Sequence, residues 1–490
     1  MMHSMIGYIL LALLVINTGG AVVTVFWEKK DIAVIWAWLL VLILLPGVGF
    51  ILYLLVGKGI NSSKIFDLKE QERLGINQLA EIQKEQWEKN RLIFAGEKIS
   101  AGNMELPRLF LDIDQAILTE HNYVEILTDG TEKFKVLLDD IRHAQNHVHI
   151  EYYTFYNDQI GNQVRAALEE VARRGVEVRV IYDSFGSRGT THQFFKRLEA
   201  LGGRAEPFFG TKKAPIHSPR LNYRDHRKIV VIDGRIGYIG GFNIGDQYLG
   251  RKPKFGYWRD THLRVQGNAV IALQSRFLMD WNATVKNTRH NQQVSYQDQY
   301  FPLISNVGHT SMQIVSSGPD SEKEAIKLGY FKMINNARKY IYIQTPYLIP
   351  DDAIIEALMV AQMSGVEVRI MIPAFPDHPF VYRATEYYAK HLTDLGIKVY
   401  KYHHGFLHAK TVVVDDQVAS VGSANLDFRS FKLNFEANAF LYGEQFAHQL
   451  KTIFEKDQEQ AVLLTPEYFA KQSRWRKFKQ EFSRLLSPIL

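Results

Sequence analysis

The sequence contains no cysteine among its 490 residues, which excludes disulfide bonds as a source of stability. This absence is compatible with a reducing compartment but does not exclude an extracellular one. A dinucleotide-binding fingerprint is also missing, because the glycines of residues 237–241 do not open a helix after the first strand of a βαβ unit. The acidic pair 351–352 and the histidine pair 403–404 lack the further ligands that a metal site requires, so no metal site is predicted.

Charged side chains are absent from two stretches near the N-terminus, Met5 to Trp27 and Ile32 to Gly57. Each is long enough to cross a hydrocarbon layer of about 30 Å as a helix. Only residues 28–31 separate them, so residues 1–57 are predicted to form a transmembrane hairpin with helices at about 5–27 and 32–56. A cleaved signal peptide is disfavoured, because a basic N-terminal region and a small-x-small cleavage site are missing and a second span follows at once.

Basic residues near the ends of the spans indicate the orientation of this hairpin. The loop carries Lys29 and Lys30, whereas the flank after the second span carries the larger cluster of Lys58, Lys64 and nearby residues. This distribution favours a cytoplasmic location for the remaining chain. The net charge of +6 suits an anionic surface, but it would attract nucleic acid as well and does not choose the substrate.

One polar pattern occurs twice. His226-x-Lys228-x4-Asp233 is followed by Gly240, Gly241 and Asn243, and His408-x-Lys410-x4-Asp415 is followed by Gly422, Ser423 and Asn425. A single three-residue match would be weak evidence, but a second copy with the same trailing residues is not accidental.

The residue types of this pattern suit phosphodiester chemistry. A histidine and a lysine two positions apart on a strand point to the same face. An imidazole can attack phosphorus or protonate a leaving oxygen, while an ammonium holds the non-bridging oxygens. Gly240 and Gly422 allow close approach of the backbone, and the amides of Asn243 and Asn425 can donate to phosphate.

With these motifs the chain resembles the phospholipase D superfamily over most of residues 106–490. The resemblance implies that the two motifs meet at one active site without a metal or cofactor. It also implies that an acidic residue further along each half orients a catalytic imidazole, for which Asp260 and Glu436 are the candidates. Gly241 stands where the family usually has the serine seen at Ser423. Asp233 and Asp415 lie at predicted strand ends, where a structural role is as open as a chemical one.

A weaker repeat surrounds the motifs and predicts duplication of a whole α/β domain. Residues 147–153 align with residues 340–346, and Gly-Val-Glu-Val-Arg occurs at both 175–179 and 365–369. Strands that alternate with helices predict an α/β/α sandwich in each half. We therefore expect one phospholipase D-type domain over residues 106–305, with its motif at 221–248, and a second over 306–490, with its motif at 403–430.

Two amphipathic segments flank this tandem. Residues 58–105 form a charged linker in which Asp67 to Arg91 is predicted to be helical, either as a connector that packs on the domain or in contact with the membrane. In the C-terminal tail Trp475, Phe478, Phe482 and Leu485 recur three or four residues apart beside basic residues. This pattern fits a helix in the interface of an anionic membrane and equally a tail packed on its own domain.

The hairpin combined with two motifs is similar to the bacterial cardiolipin synthases of the superfamily. The resemblance implies a phosphatidyltransferase of phospholipid biosynthesis in the bacterial cell membrane, with phosphatidylglycerol as substrate, anionic lipids as partners and no role for nucleic acid. Two phosphatidylglycerols would give cardiolipin and glycerol through a phosphatidyl-histidine, assigned to His226 by analogy. A phospholipase D hydrolase, a tethered nuclease and an inactive scaffold are the alternatives, and the oligomeric state stays open.

Overall fold

The computed structural model describes residues 2–27, 32–45, 47–53, 76–89, 101–208, 222–286, 293–294, 297–321 and 323–487. The N-terminal region begins with three helices, α1 (Met2–Trp27), α2 (Ile32–Leu44) and α3 (Val48–Leu52). The second predicted span is therefore not one helix. Gly47, which precedes α3, has a φ of 81°, which lies outside the helical region and interrupts the run. Within the described residues, no helix meets both the length and the hydropathy that a membrane crossing requires, so the predicted hairpin is not confirmed.

Two further helices lead into the first sheet. They are α4 (Ile76–Glu88) and α5 (Ala101–Asp114). The side chain of Gln83 in α4 exchanges two hydrogen bonds with the backbone of Leu118, at 2.7 and 2.8 Å. This part of the predicted linker helix therefore packs on the domain, while residues 67–75, 90 and 91 lie outside the described residues.

The first half of the chain builds a mixed seven-stranded sheet in the order β4-β3-β2-β6-β7-β8-β1. The first three strands of this order are parallel to one another, and the others join by antiparallel pairs. Its elements are β1 (Thr119–Asp129), α6 (Gly130–Arg142), β2 (His147–Tyr152), α7 (Gln159–Arg173), β3 (Glu177–Tyr182), α8 (His192–Ala200), β4 (Arg204–Pro207), β5 (Arg224–Asp225), β6 (Lys228–Ile232), β7 (Ile236–Gly240), β8 (Trp258–Gln266) and α9 (Ala269–Val285).

The second half repeats this order as β13-β12-β10-β15-β16-β18-β9. Its elements are β9 (Thr310–Ser317), α10 (Ala325–Asn336), β10 (Tyr340–Gln344), β11 (Leu348–Ile349), α11 (Asp352–Met363), β12 (Glu367–Pro373), α12 (Pro379–Asp394), β13 (Lys398–Tyr402), β14 (Phe406–Leu407), β15 (Thr411–Val414), β16 (Val418–Gly422), β17 (Leu426–Asp427), α13 (Phe428–Lys432), β18 (Asn434–Tyr442), α14 (Glu444–Gln458), β19 (Ala461–Leu463), α15 (Pro466–Ala470) and α16 (Arg474–Leu485).

Helices cover both faces of each sheet, as the alternating pattern predicts. In the first half Val164 and Leu168 of α7 pack against Val148 and Ile150 on the outer face. On the inner face the buried side chains of α9 and α14 join residues of both sheets in one core. The tandem α/β architecture is thus confirmed, whereas the residue boundaries between the predicted domains stay a prediction. The shared inner core brings the two motif regions toward each other.

Candidate active site

The two motif histidines each lie where the two halves of the chain meet. His226 stands between β5 and β6, and His408 between β14 and β15, so neither belongs to the strand that follows it. The short strand before each histidine pairs in parallel with a strand of the opposite half, β5 with β18 and β14 with β8. The amide of His226 donates to the carbonyl of Phe435 at 2.9 Å, and that of His408 to the carbonyl of Arg259 at 2.7 Å.

The orienting acids are crossed between the halves. Nδ1 of His226 lies 2.9 Å from both carboxylate oxygens of Glu436, and Nδ1 of His408 lies 2.6 Å from Oδ2 of Asp260. Both acids are fully buried. Glu436 and Asp260 are the acids that were expected to orient the imidazoles, and each lies beside the histidine of the other half, which spacing along the chain could not show.

These contacts fix the orientation of both rings. Burial opposes ionisation of Glu436, but His226 and Lys228 hold the pKa of its carboxyl below the ordinary value. Burial likewise opposes ionisation of Asp260, while Lys410 and His408 lower the pKa of that carboxyl. Because an ionised carboxylate only accepts hydrogen bonds, Nδ1 must carry the proton in both histidines. Nε2 is then the nitrogen available to phosphorus or to an alkoxide oxygen.

Both imidazoles are neutral at pH 7. Burial lowers the pKa of His226 to about 4, although the charge of Glu436 raises it. Burial and the neighbouring Lys410 lower the pKa of His408 to about 4, against the effect of Asp260. A neutral imidazole has the lone pair that a nucleophile needs.

The two motif lysines complete a compact cationic site. Lys228 and Lys410 are each 1% exposed, and each ammonium donates to the main-chain carbonyl of its own motif histidine. Nζ of Lys410 also lies 2.8 Å from Nδ1 of His408, but the carboxylate of Asp260 at 2.6 Å is the closer partner and the stronger acceptor for the ring proton.

The lysines of the two halves lie near one another. Burial lowers the pKa of Lys410 to about 8 and that of Lys228 to about 7, and the charge of Lys410 contributes to the lower value at Lys228. Such repulsion between two ammonium groups requires that they be close in space. An anion bound between them would relieve it, so the pair is suited to holding a phosphate.

The motif aspartates serve the fold. The carboxylate of Asp233 accepts from the backbone N–H groups of residues 145, 146 and 147, at 2.7 to 2.9 Å. Asp415 accepts in the same way from residues 338, 339 and 340, at 2.6 to 2.8 Å. Each aspartate therefore fastens the turn that precedes β2 or β10, and its carboxylate is engaged by backbone rather than by a motif histidine.

The residues after each motif position the acids and the neighbouring backbone. Oδ1 of Asn243 accepts from the backbone of Thr154 at 3.1 Å, whereas Oδ1 of Asn425 is buried and finds no hydrogen-bond partner among the described residues. The hydroxyl of Ser423 donates to Glu436. A Cβ on Gly241, the matching position, would lie 2.0 Å from Oδ1 of Asp260. The first half therefore has glycine here because the shorter acid occupies the space that a side chain would take.

A second pair of buried acids stands behind His226. Glu151 and Asp225 are fully buried, and the carboxyl oxygens of Glu151 have no hydrogen-bond partner among the described residues. Burial and the charge of Asp280 raise the pKa of Asp225 to about 8, and burial and Asp225 raise the pKa of Glu151 well above its usual range. A raised pKa keeps such a buried carboxyl protonated near neutral pH. In the second half, Gln344 occupies the strand position that corresponds to Glu151. The aligned repeats show this replacement of an acid by an amide, but it does not by itself predict that the acid is buried and protonated.

Aromatic side chains line the pocket beside both histidines. The ring of Tyr153 lies 4.9 Å from that of His226, and the indole of Trp258 lies 5.0 Å from that of His408. With 8% of His226 and 7% of His408 exposed, little solvent reaches either imidazole. The site therefore combines two neutral imidazoles, two oriented acids and two buried lysines in a region that little solvent reaches.

Comparisons with known proteins place this architecture in a family. A sequence profile described as "Cardiolipin synthase, PLD-like domain" matches residues 137–257 and 330–458, and one described as "Phospholipase_D-nuclease N-terminal" matches residues 10–58. The chain is 51% identical over 486 residues to a cardiolipin synthase of Listeria innocua. This match covers 99% of this chain and 100% of the relative. The chain is 47% identical over 486 residues to the major cardiolipin synthase of Bacillus subtilis, with the same coverage.

Among solved structures the fold is similar to that of a phosphatidylserine synthase from Haemophilus influenzae. The TM-score is 0.61, and the match covers 79% of this chain and 100% of the other. Because the sequences are only 13% identical, this likeness concerns the fold alone.

Proposed function

The chain belongs to the cardiolipin synthases with phospholipase D-like domains, and on this basis we propose that it transfers a phosphatidyl group between two phosphatidylglycerol molecules. The products are cardiolipin and glycerol. The observation that supports the proposal is the crossed pair of histidine and acid contacts, which engages Nδ1 of each ring and leaves both Nε2 atoms for one phosphate to use. Lys228 and Lys410 would hold the non-bridging oxygens of that phosphate.

In the first step Nε2 of His226 attacks phosphorus and the bond from phosphorus to the glycerol oxygen breaks. Glu436, held ionised, stabilises the positive charge that develops on the imidazole. His408 gives a proton to the departing glycerol oxygen. His408 is neutral at pH 7 before substrate binds, but the bound phosphodiester brings a negative charge that raises the pKa of the nearby imidazole.

In the second step the chemistry runs in the opposite direction. A headgroup hydroxyl of the second phosphatidylglycerol loses its proton to His408 and attacks phosphorus, and the phosphorus–nitrogen bond to His226 breaks. One phosphodiester replaces another, so neither a nucleotide nor a metal is part of the scheme. Assigning the nucleophilic role to His226 is part of the proposal.

A hydrolase would use the same site with water as the acceptor. The burial of both histidines favours transfer over hydrolysis, because a pocket that admits little water allows a positioned lipid hydroxyl to compete. A nuclease would also use this chemistry, but a chain with exposed apolar helices at its N-terminus fits a lipid substrate better.

We also propose that α1 to α3 anchor the enzyme in the bacterial cell membrane, with the catalytic halves on the cytoplasmic side. Apolar side chains such as Leu14, Val15 and Ile43 are more than half exposed on these helices. The side-chain amide nitrogen of Asn17 donates to the carbonyl of Leu42, which joins α1 to α2 by a buried hydrogen bond. The basic residues after residue 57 support the orientation.

The decisive experiment incubates the full chain in mixed micelles with labelled phosphatidylglycerol and identifies the products. Cardiolipin and glycerol should form in equal amounts, and added glycerol should regenerate phosphatidylglycerol from cardiolipin. His226→Ala and His408→Ala should each abolish both directions. Phosphatidic acid as the main product would identify a hydrolase, and cleavage of added DNA would identify a nuclease.

A further inference from the structure

The C-terminal helix α16 has two opposite faces, and the polar one faces the protein. Gln480 and Ser483 are buried and Arg476 is half-buried on the side that meets α12. At 100° per residue, Trp475, Phe478, Phe482 and Leu485 fall on the other side of the helix. These four side chains are 48 to 70% exposed. The helix thus turns its hydrophobic stripe outward, the reverse of an ordinary surface helix.

Polar contacts hold the helix in this orientation. The fully buried carboxylate of Glu386 on α12 accepts from the guanidinium of Arg476 and, at 3.2 Å, from the side-chain amide of Gln480. Burial opposes ionisation of Glu386, but Arg476 and Lys401 lower the pKa of its carboxyl to about 2. Arg484 donates to the hydroxyl of Tyr387 at 2.6 Å. Rotating the apolar stripe inward would leave the charge of Glu386 buried with fewer partners.

The outward stripe is a continuous aromatic surface flanked by positive charge. The ring of Trp475 stacks on Phe478 at 5.4 Å, and Phe478 on Phe482 at 6.4 Å. The helix carries five basic residues and one acidic residue, with Arg474 and Lys479 on either side of the stripe. No element of the described chain covers these side chains.

We propose that this face of α16 inserts into the headgroup region of an anionic lipid bilayer, as a second membrane contact at the opposite end of the chain from the N-terminal helices. Aromatic and leucine side chains beside basic residues are the composition of helices that lie in a membrane interface. The charge favours an anionic bilayer over a second copy of the chain, because two copies of this face would oppose like charges. The inference does not depend on which acceptor the active site uses.

The absence of cysteine makes the test direct, since one introduced cysteine takes a single environment-sensitive fluorophore. The full chain with Phe482→Cys is labelled and reconstituted in vesicles that contain phosphatidylglycerol. Lys477→Cys, an exposed residue of the same helix outside the stripe, is the matched control. The label at position 482 should be blue-shifted and about tenfold less accessible to an aqueous quencher than the label at 477. In vesicles of neutral lipid this protection should weaken.

A second variant tests the stripe itself. Leu485→Cys carries the label while Phe478→Ser and Trp475→Ser remove aromatic surface whose ring contacts lie within α16. Protection at position 485 should fall toward that of the control. Equal quenching at 482 and 477, or equal protection in neutral and anionic vesicles, would overturn the proposal. Protection that rises with the protein-to-lipid ratio would overturn it as well and assign the face to a second copy of the chain.

Discussion

Replacing Glu436 with Gln tests whether the second half controls the histidine of the first. Glu436 is fully buried and accepts the Nδ1 proton of His226 with both oxygens at 2.9 Å. A hydrogen bond to a buried charged group contributes about 1.5–3 kcal/mol. If this stabilisation is lost in the transition state, where the imidazole of His226 becomes positively charged, kcat should fall by roughly 10- to 150-fold. The amide can also donate to Nδ1 and hold the wrong tautomer, which would deepen the loss.

The assay follows both the steady state and the covalent intermediate. Rapid quenching with labelled phosphatidylglycerol should show slower formation of phosphatidyl-enzyme in Glu436→Gln. Asp260→Asn should also lower kcat, but through proton transfer at His408. Glu367→Gln is the matched control, because this carboxylate of the second half binds Arg369 and Lys398 rather than a histidine. A folded Glu436→Gln enzyme with kcat within about twofold of the control would refute the crossed arrangement as a source of catalysis.

Four further outcomes are expected. Gly241→Ser should lower kcat by about tenfold or more, because the new Cβ would lie 2.0 Å from Oδ1 of Asp260 and would displace this acid from His408. An unchanged kcat would show that Asp260 can move freely. Asp415→Asn should lower the free energy of unfolding by about 1.5–3 kcal/mol in a denaturant titration, because the charged acceptor of three backbone N–H groups is lost. The folded enzyme should keep its kcat, and a loss of kcat at equal stability would indicate a chemical role. The raised pKa of Asp225 means that the folded state keeps a proton that the unfolded state releases, so the free energy of unfolding falls as pH rises from about 4 to about 8. Glu151→Gln removes a second carboxyl with a raised pKa and should flatten this dependence in thermal melts, and an unaltered slope would argue against retention of a proton by this pair. Deleting residues 1–57 should preserve turnover in mixed micelles and lower it on vesicles, and a folded but inactive fragment in micelles would place the N-terminal helices in the active site.

Periodicity and duplicated motifs predicted the strands and helices around the site, but His226 and His408 precede the strands on which they were expected. The strand at His147–Tyr152 and its counterpart at Tyr340–Gln344 lie where the repeat places them. The crossed contacts could not be predicted, because two similar halves offer the same spacing for pairing within a half or between halves. The roles of Asp233 and Asp415 depend on turns distant in sequence, 86 to 88 and 75 to 77 residues away. The interruption at Gly47 was missed because hydropathy alone does not register backbone conformation, although the Pro46-Gly47 dipeptide is a sequence signal that could have predicted it.

The crossed pairing also constrains how such a chain can be divided or inherited. A gene fragment that encodes only the first half would supply His226 without Glu436 and Asp260 without His408. A fragment that encodes only the second half would have the reverse deficit. Each fragment would retain a full motif, but it would not contain a complete pair of histidine and orienting acid. Two fragments from different genes could complement each other only if β5 met β18 and β8 met β14 across the new interface. Substitutions at the acids and histidines are therefore coupled across the duplication, and the two repeats cannot diverge there independently.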